Sequence, residues 1–396
     1  MVMKSEFKYL IALFSFLIAN YNQSESNAKE GLNKFFEKPI KKNSLDTSKY
    51  LNEKFRLDTL FNQLYKKNVF NANVLIAKGN DIIYKKSFGM GNIEKGVTLS
   101  DSSIFQLASV SKVITSIGIL MLYEQEKLNL DAQVSDILPE FPYKKMTIEH
   151  LLCHRSGLPN YTYFCCKYLK DDATDLSNRE VLELMAKYQP TPYFNEGKRF
   201  NYSNTNYIIL ALIIENISGL SYDTYLHQKL FEPLGMRHTQ TIKKLDLSNM
   251  NLTCGYSNSF KQIENDRFDG VIGDKGIFTT THDLLLLSKA LYQNKLLSAK
   301  TQALAYTPHS KEKKMSNYGL GWRMKNISNE NKEVYHNGWW HGYKTSFHRR
   351  LKDSLTIIIL SNKLNNSVYA THKIYEAIDG INHSDKSSEV EMKAEY

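Results

Sequence analysis

Segments patterned as β-strands occupy both ends of this chain, and a long run of helical patches separates them. Near the start, Asn73 to Ala77 and Ile82 to Phe88 predict a hairpin turning at Gly79-Asn80-Asp81. Beyond Tyr318 the strand pattern returns in Val334 to His336, Thr345 to Arg349 and Leu355 to Leu360, the last two joined at Lys352-Asp353-Ser354. Between them, from Leu130 to about Leu297, apolar helical runs are broken by loops such as Ser156-Gly157-Leu158-Pro159 and Glu232-Pro233-Leu234-Gly235. Such an order predicts an α/β (α+β) fold: one antiparallel sheet built from both chain ends, flanking helices, and an inserted, mostly helical region. Phe55 to Tyr65 reads as an amphipathic helix ahead of the sheet, and Val368 to Ile378 as one that closes it. Gly89-Met90-Gly91 lacks a third glycine and a following helix, so it predicts a turn and not a dinucleotide loop.

At 396 residues, 42% hydrophobic and 23% charged, the chain can bury a large core and is neither a multi-span membrane protein nor a disordered one. The formal charge of +10 comes from scattered lysines with no dense basic block, which predicts a solvated basic surface and no nucleic-acid partner. Lys4 and Lys8 precede an apolar run from Tyr9 to Ala19, and Ser26-Asn27-Ala28 offers a small-x-small cleavage site. Residues 1–28 therefore read as a signal peptide, which implies export to a periplasmic or extracellular location. A polar linker (29–54), a folded domain (55–380, helical insert about 130–297) and a flexible tail (381–396) would follow. Cys153, Cys165, Cys166 and Cys254 show no metal-ligand spacing. Adjacent Cys165 and Cys166 rarely bridge each other, so pairing with Cys153 or Cys254 and buried free thiols both stay open. No metal and no cofactor are predicted.

Chemistry enters at Ser109-Val110-Ser111-Lys112. A serine and a lysine three residues apart on a helix share one face, which puts an amine within reach of a hydroxyl. Three other Ser-x-x-Lys matches, at Ser5, Ser26 and Ser310, lie in polar or terminal stretches that cannot bury the lysine. Only the Ser109 copy runs into Val113, Ile114, Ile117, Leu120 and Met121, the stripe of a helix packed in a core. Tyr202-Ser203-Asn204 lies in a loop that opens a second apolar helix, where a phenol and an amide can project together. Tyr-x-Asn recurs at Tyr50, Tyr256, Tyr292 and Tyr335, so context and not the bare pattern singles it out. His336-Asn337-Gly338, the only His-x-Gly in the chain, sits on a predicted strand beside Trp339-Trp340-His341.

In this order and spacing the three motifs resemble those of the serine β-lactamase-like hydrolases, which include class C β-lactamases, D-alanyl-D-alanine carboxypeptidases, esterases and amino-acid amidases. The likeness extends from Phe61 to Leu360 and includes Leu151 to Pro159, Phe231 to Met236, Gly273 to Thr280 and Tyr318 to Trp322. It implies a β-lactamase/transpeptidase-like fold in which Ser109 attacks a carbonyl and forms an acyl-enzyme. Lys112 would serve as base once its pKa falls from an ordinary value of about 10.4. Tyr202 would share and relay the proton, and Asn204 would hold the lysine and the substrate amide. The resemblance puts the oxyanion hole at the backbone N–H groups of Ser109 and Trp339, just after His336 and Gly338.

Two departures narrow the substrate. Related β-lactamases commonly carry lysine where this chain has His336, and a neutral histidine clamps a carboxylate less well. Trp339 and Trp340 stand where small residues are common, which predicts either a bulky cleft wall or core packing. The expected activity is therefore an exported serine hydrolase of the carboxylesterase or D,D-carboxypeptidase type. Its substrate would be an ester or a peptide or amino-acid amide, with peptidoglycan among the candidate partners. The rivals are a true β-lactamase and a non-catalytic peptidoglycan sensor on the same fold. His154 reads as a structural residue, His336 and His341 lack a third metal ligand at proper spacing, and Arg349-Arg350 reads as an exposed strand end.

Overall fold

The structure, a computed structural model, describes residues 49–169, 175–309, 316–328 and 331–380. The predicted leader, most of the predicted linker and the tail lie outside the described residues. All but Lys49 of the described residues fall in one compact unit that starts at Tyr50. No helix among them is long and apolar enough to cross a membrane.

Among the described residues seven strands form one antiparallel sheet. They are β1 (Ala72–Lys78), β2 (Asp81–Phe88), β3 (Ser316–Tyr318), β4 (Arg323–Ser328), β5 (Asn331–Trp340), β6 (Tyr343–Arg350) and β7 (Leu355–Ser361), in the order β2-β1-β7-β6-β5-β4-β3. The two ends of the chain meet where β1 pairs with β7, Ala72 opposite Ser361 and Lys78 opposite Leu355. Both central strands read as nearly unbroken apolar runs because both of their faces are covered. Alternation then sorts the side chains. Val74, Ile76, Ile357 and Ile359 join the core under α1 (Leu51–Lys66) and the C-terminal helix Thr371–Asp379. Leu75, Ala77, Ile358 and Leu360 face the larger helical core.

Two helices dominate that larger core, α2 (Ser111–Glu124) and α3 (Thr205–Ser218), and both are buried around almost their whole circumference. They cross closely at Gly118, where a Cβ would come within 3.0 Å of Ile214 Cδ1. The predicted hairpins and both terminal helices form. β3 and β4 were not predicted, because Arg323 to Ser328 is a polar run that becomes a strand only by pairing with β5. Gly89 makes the expected turn, with φ +95°, but Met90–Asn92 then pairs with Val97–Thr98 as a short strand.

One expectation fails outright. Arg349 is fully buried and Arg350 is 4% exposed, so this pair is no exposed strand end. Arg349 donates to Ser288 Oγ (3.2 Å) and Tyr306 Oη (2.6 Å) with its guanidinium 4.1 Å from the Tyr292 ring centre. Arg350 is forked between Asp353 and Asp379. Hydroxyls and aromatic rings around Arg349, and carboxylates around Arg350, let both cations sit inside. The four cysteines are free thiols in the structure.

Candidate active site

Ser109 lies in a 3₁₀ turn, Ala108–Val110, that feeds directly into α2. The turn is sharp: Ala108 has φ +49°, a left-handed conformation that a residue with a Cβ rarely adopts. Neighbours hold it there. Leu107 N–H donates to Ile277 O (2.8 Å), and Thr345 Oγ1 donates to Leu107 O (2.7 Å). One helical turn on, the Lys112 side chain is fully buried, and its Nζ donates to Ser109 Oγ (3.0 Å) and to the backbone carbonyl of Asp274 (2.8 Å). The rings of Tyr202 and Tyr207 stand 5.1 and 5.7 Å from that nitrogen.

The Tyr202 loop is built on His154. Asn201 N–H donates to His154 O (2.8 Å), Ser203 N–H donates to His154 Nδ1 (3.2 Å), and the His154 and Tyr202 rings are 4.3 Å apart. Burial, reinforced by the charges of Lys112 and Arg323, holds His154 well below the ordinary histidine pKa. It is a neutral acceptor that shapes the loop, in keeping with its structural reading. Asn204 stands at the N-terminal boundary of α3 with its Oδ1 buried and without a hydrogen-bond partner. The expected Asn204 contact to the lysine is not made through that oxygen, and the Asp274 carbonyl accepts from Lys112 instead.

His336, on β5, is 1% exposed and has both ring nitrogens engaged. Nδ1 lies 2.8 Å from Asn337 O and Nε2 lies 3.0 Å from Tyr318 Oη. A carbonyl can only accept, so Nδ1 carries the proton and Nε2 accepts from the tyrosine. Burial first, then Arg323 and Lys112, push its pKa well below the ordinary value, which keeps the ring neutral. Two residues along, a Cβ on Gly338 would fall 2.4 Å from Leu107 O and 3.1 Å from Ser109 N. Only glycine lets β5 lie this close to the serine turn.

The two tryptophans differ in burial. Trp339 is 53% exposed, whereas Trp340 is half-buried and donates from Nε1 to Asp269 Oδ1 (2.7 Å). Beside it, Asp266, Asp269 and His341 bring ligand-type atoms within 4.8 Å of one another. His341 Nε2 is 3.2 Å from Asp269 and 3.6 Å from Asp266. Burial alone would lower the His341 pKa, but the two carboxylates outweigh it and raise it to about 9. Raised in this way, the His341 imidazolium is paired with both carboxylates, an ionic contact that ties the β5–β6 turn to the loop leading to Asp274.

The structure thus gathers Ser109, Lys112, Tyr202, His336 and Gly338 from three separate stretches into one cluster, with Asn204 at the start of α3 and Trp339 exposed next to Gly338. Sequence reasoning missed Asp274 and Thr345, which act through a backbone carbonyl and a single hydroxyl. Asp274 lay within a recognised segment, Gly273 to Thr280, but backbone roles leave no residue-type signal.

A family profile described as Beta-lactamase matches residues 57–380. Penicillin-binding protein 4* of Bacillus subtilis (strain 168) is 34% identical over 334 residues, covering 80% of this chain and 74% of that protein. A penicillin binding protein from Bacillus halodurans superposes with a TM-score of 0.69 at 25% identity, covering 81% of this chain and 98% of that one. D-amino acid amidase from Ochrobactrum anthropi SV3 shares the fold, with a TM-score of 0.70 at 17% identity over 82% of this chain and 98% of that one.

Proposed function

The chain belongs to the beta-lactamase family and is a serine hydrolase of its β-lactamase/transpeptidase-like fold, and from that membership we propose an exported enzyme that cleaves an ester, or a peptide or amino-acid amide, through an acyl-enzyme on Ser109. The carrying observation is the 3.0 Å contact between the fully buried Lys112 Nζ and the Oγ of half-buried Ser109. In this reading Ser109 Oγ bonds to the substrate carbonyl carbon while its proton passes to Lys112 and Tyr202, which act as one proton-sharing pair. The carbonyl π-electrons move to the oxygen, held by the Ser109 and Trp339 N–H groups. Collapse expels the leaving group, which takes the proton, and water then releases the acyl group by the same steps in reverse.

The neutral, doubly engaged His336 supports an uncharged reacting end. It offers no cation to a substrate carboxylate, which disfavours efficient β-lactam hydrolysis. Export rests on the predicted leader, and an envelope ester or peptide, peptidoglycan included, is the substrate class consistent with it.

Intact-mass spectrometry after exposure to a fluorophosphonate and, separately, to a penicillin tests the reading, with Ser109→Ala as control. A fluorophosphonate adduct on the wild type that disappears in Ser109→Ala is the expected result. A penicillin adduct that persists marks the D,D-peptidase branch, and rapid penicillin turnover overturns the reading of His336. No adduct on folded wild-type protein removes Ser109 as nucleophile.

A further inference from the structure

Gly338 C=O and Trp339 N–H are the two ends of one planar trans peptide, so whatever fixes the carbonyl fixes the amide. Tyr369 Oη donates to Gly338 O at 2.6 Å. Tyr369 comes from a 3₁₀ turn, Asn366–Tyr369, that follows β7 and belongs to none of the recognised motifs. We propose that Tyr369 is a positioning residue for the oxyanion hole, its hydroxyl pinning the Gly338–Trp339 peptide so that the Trp339 N–H is presented beside Ser109. This rests on the acyl-enzyme reading above.

Three observations carry it. Pairing between β5 and β4 ends at Tyr335 opposite Arg323, before the Gly338–Trp339 peptide is reached. A trans peptide whose oxygen is taken by Tyr369 points its N–H to the opposite side. The site is also close to the nucleophile, since a Cβ on Gly338 would stand 3.1 Å from Ser109 N.

The third observation is that the turn is fastened independently of the hydroxyl. Lys344 Nζ donates to Asn366 Oδ1 (2.8 Å) and lies 5.3 and 5.1 Å from the Trp339 and Tyr369 ring centres. Ser367 Oγ donates to Val69 O (3.2 Å), and Val368 is fully buried. Tyr369 Oη is therefore held in place before any substrate arrives, which is what a preorganised donor requires. A hydrogen bond to the carbonyl oxygen also polarises the peptide and strengthens its N–H as a donor.

The test uses the full-length protein with Tyr369→Phe, which removes only the hydroxyl, and Tyr369→Ala, which removes the ring as well. Hydrolysis of p-nitrophenyl acetate and the rate of fluorophosphonate labelling are measured beside thermal melts. Loss of a direct oxyanion donor costs roughly 100- to 1,000-fold. An orienting hydroxyl should cost less, about 5- to 20-fold in kcat and in labelling rate for Tyr369→Phe, with KM within about twofold and the melting temperature unchanged. Wild-type kcat in Tyr369→Phe overturns the proposal, whether or not Tyr369→Ala is impaired. So does a loss confined to KM or matched by a fall in melting temperature. A wild type that neither turns over the ester nor labels at Ser109 sinks the acyl-enzyme reading itself, and this proposal with it.

Discussion

Gly338 leaves no room for a side chain: a Cβ would meet Thr345 Oγ1 at 2.2 Å and Leu107 O at 2.4 Å. Backbone cannot yield as a flexible side chain can, so Gly338→Ala must push β5 away from the serine turn. We expect it to destabilise the protein by about 1–3 kcal/mol. We expect kcat to fall by more than that stability loss explains, because the two N–H donors separate. Urea melts with ester kinetics check this, and an active, fully stable Gly338→Ala protein would refute the close approach. At the same scale, His336 shows how chemistry follows from wiring and not from residue type. A carbonyl on one side and a tyrosine hydroxyl on the other make its imidazole fixed and neutral beside the reactive pair. The Ser-x-x-Lys, Tyr-x-Asn and His-x-Gly residues were legible because each carries a reactive or special side chain. Thr345, Asp274 and Tyr369 were not, because their contributions depend on which backbone group lies across from them.

Strands and helices set the next constraint. β6 runs from Tyr343 to Arg350 with every residue buried, and its polar members are satisfied from neighbouring elements. Arg349 is the extreme case, a cation whose hydrogen bonds go to the neutral hydroxyls of Ser288 and Tyr306 and whose guanidinium lies against aromatic rings. Removing a charge that has no carboxylate partner among the described residues relieves its desolvation, provided the volume is kept. Arg349→Met should therefore stay within about 1.5 kcal/mol of the wild type. Arg349→Ala, which opens a cavity, should lose about 2–4 kcal/mol. Equal losses in the two variants would show that the charge itself holds β6. Sequence reasoning placed these arginines outside because an Arg-Arg pair at a strand end is ordinarily exposed, and only the layers packed on β6 decide otherwise.

Across the whole molecule, buried histidines shape the response to pH. His154 and His336 stay neutral when folded, their pKa values lowered by burial, but would take protons near pH 6.5 when unfolded. Their contribution is present above pH 6.5 and is lost as pH falls below it, because the unfolded chain then binds more protons. His341 has the opposite sign. Its folded pKa, raised to about 9, gives stability that is full below pH 6.5 and disappears as pH climbs through 9. The melting temperature should therefore peak near pH 6.5, and His341→Gln should flatten the alkaline limb between pH 6.5 and 9 while leaving the acid limb alone. Thermal melts across that range decide it, and an unchanged alkaline limb in His341→Gln would remove the ion pair from the account.

The same division separates what the chain states from what the fold decides. Strand-patterned runs at both ends and the helical centre determined one sheet built from both ends of the chain, because the residue pattern within a segment is a local property. The three motifs determined the family and the residues worth watching. Tertiary structure alone decided that Lys112 leans on the Asp274 carbonyl, that His336 is neutral and engaged on both sides, and that Arg349 is buried. Each of these depends on contacts between segments far apart in sequence, and such contacts leave no periodic trace in the residues that make them.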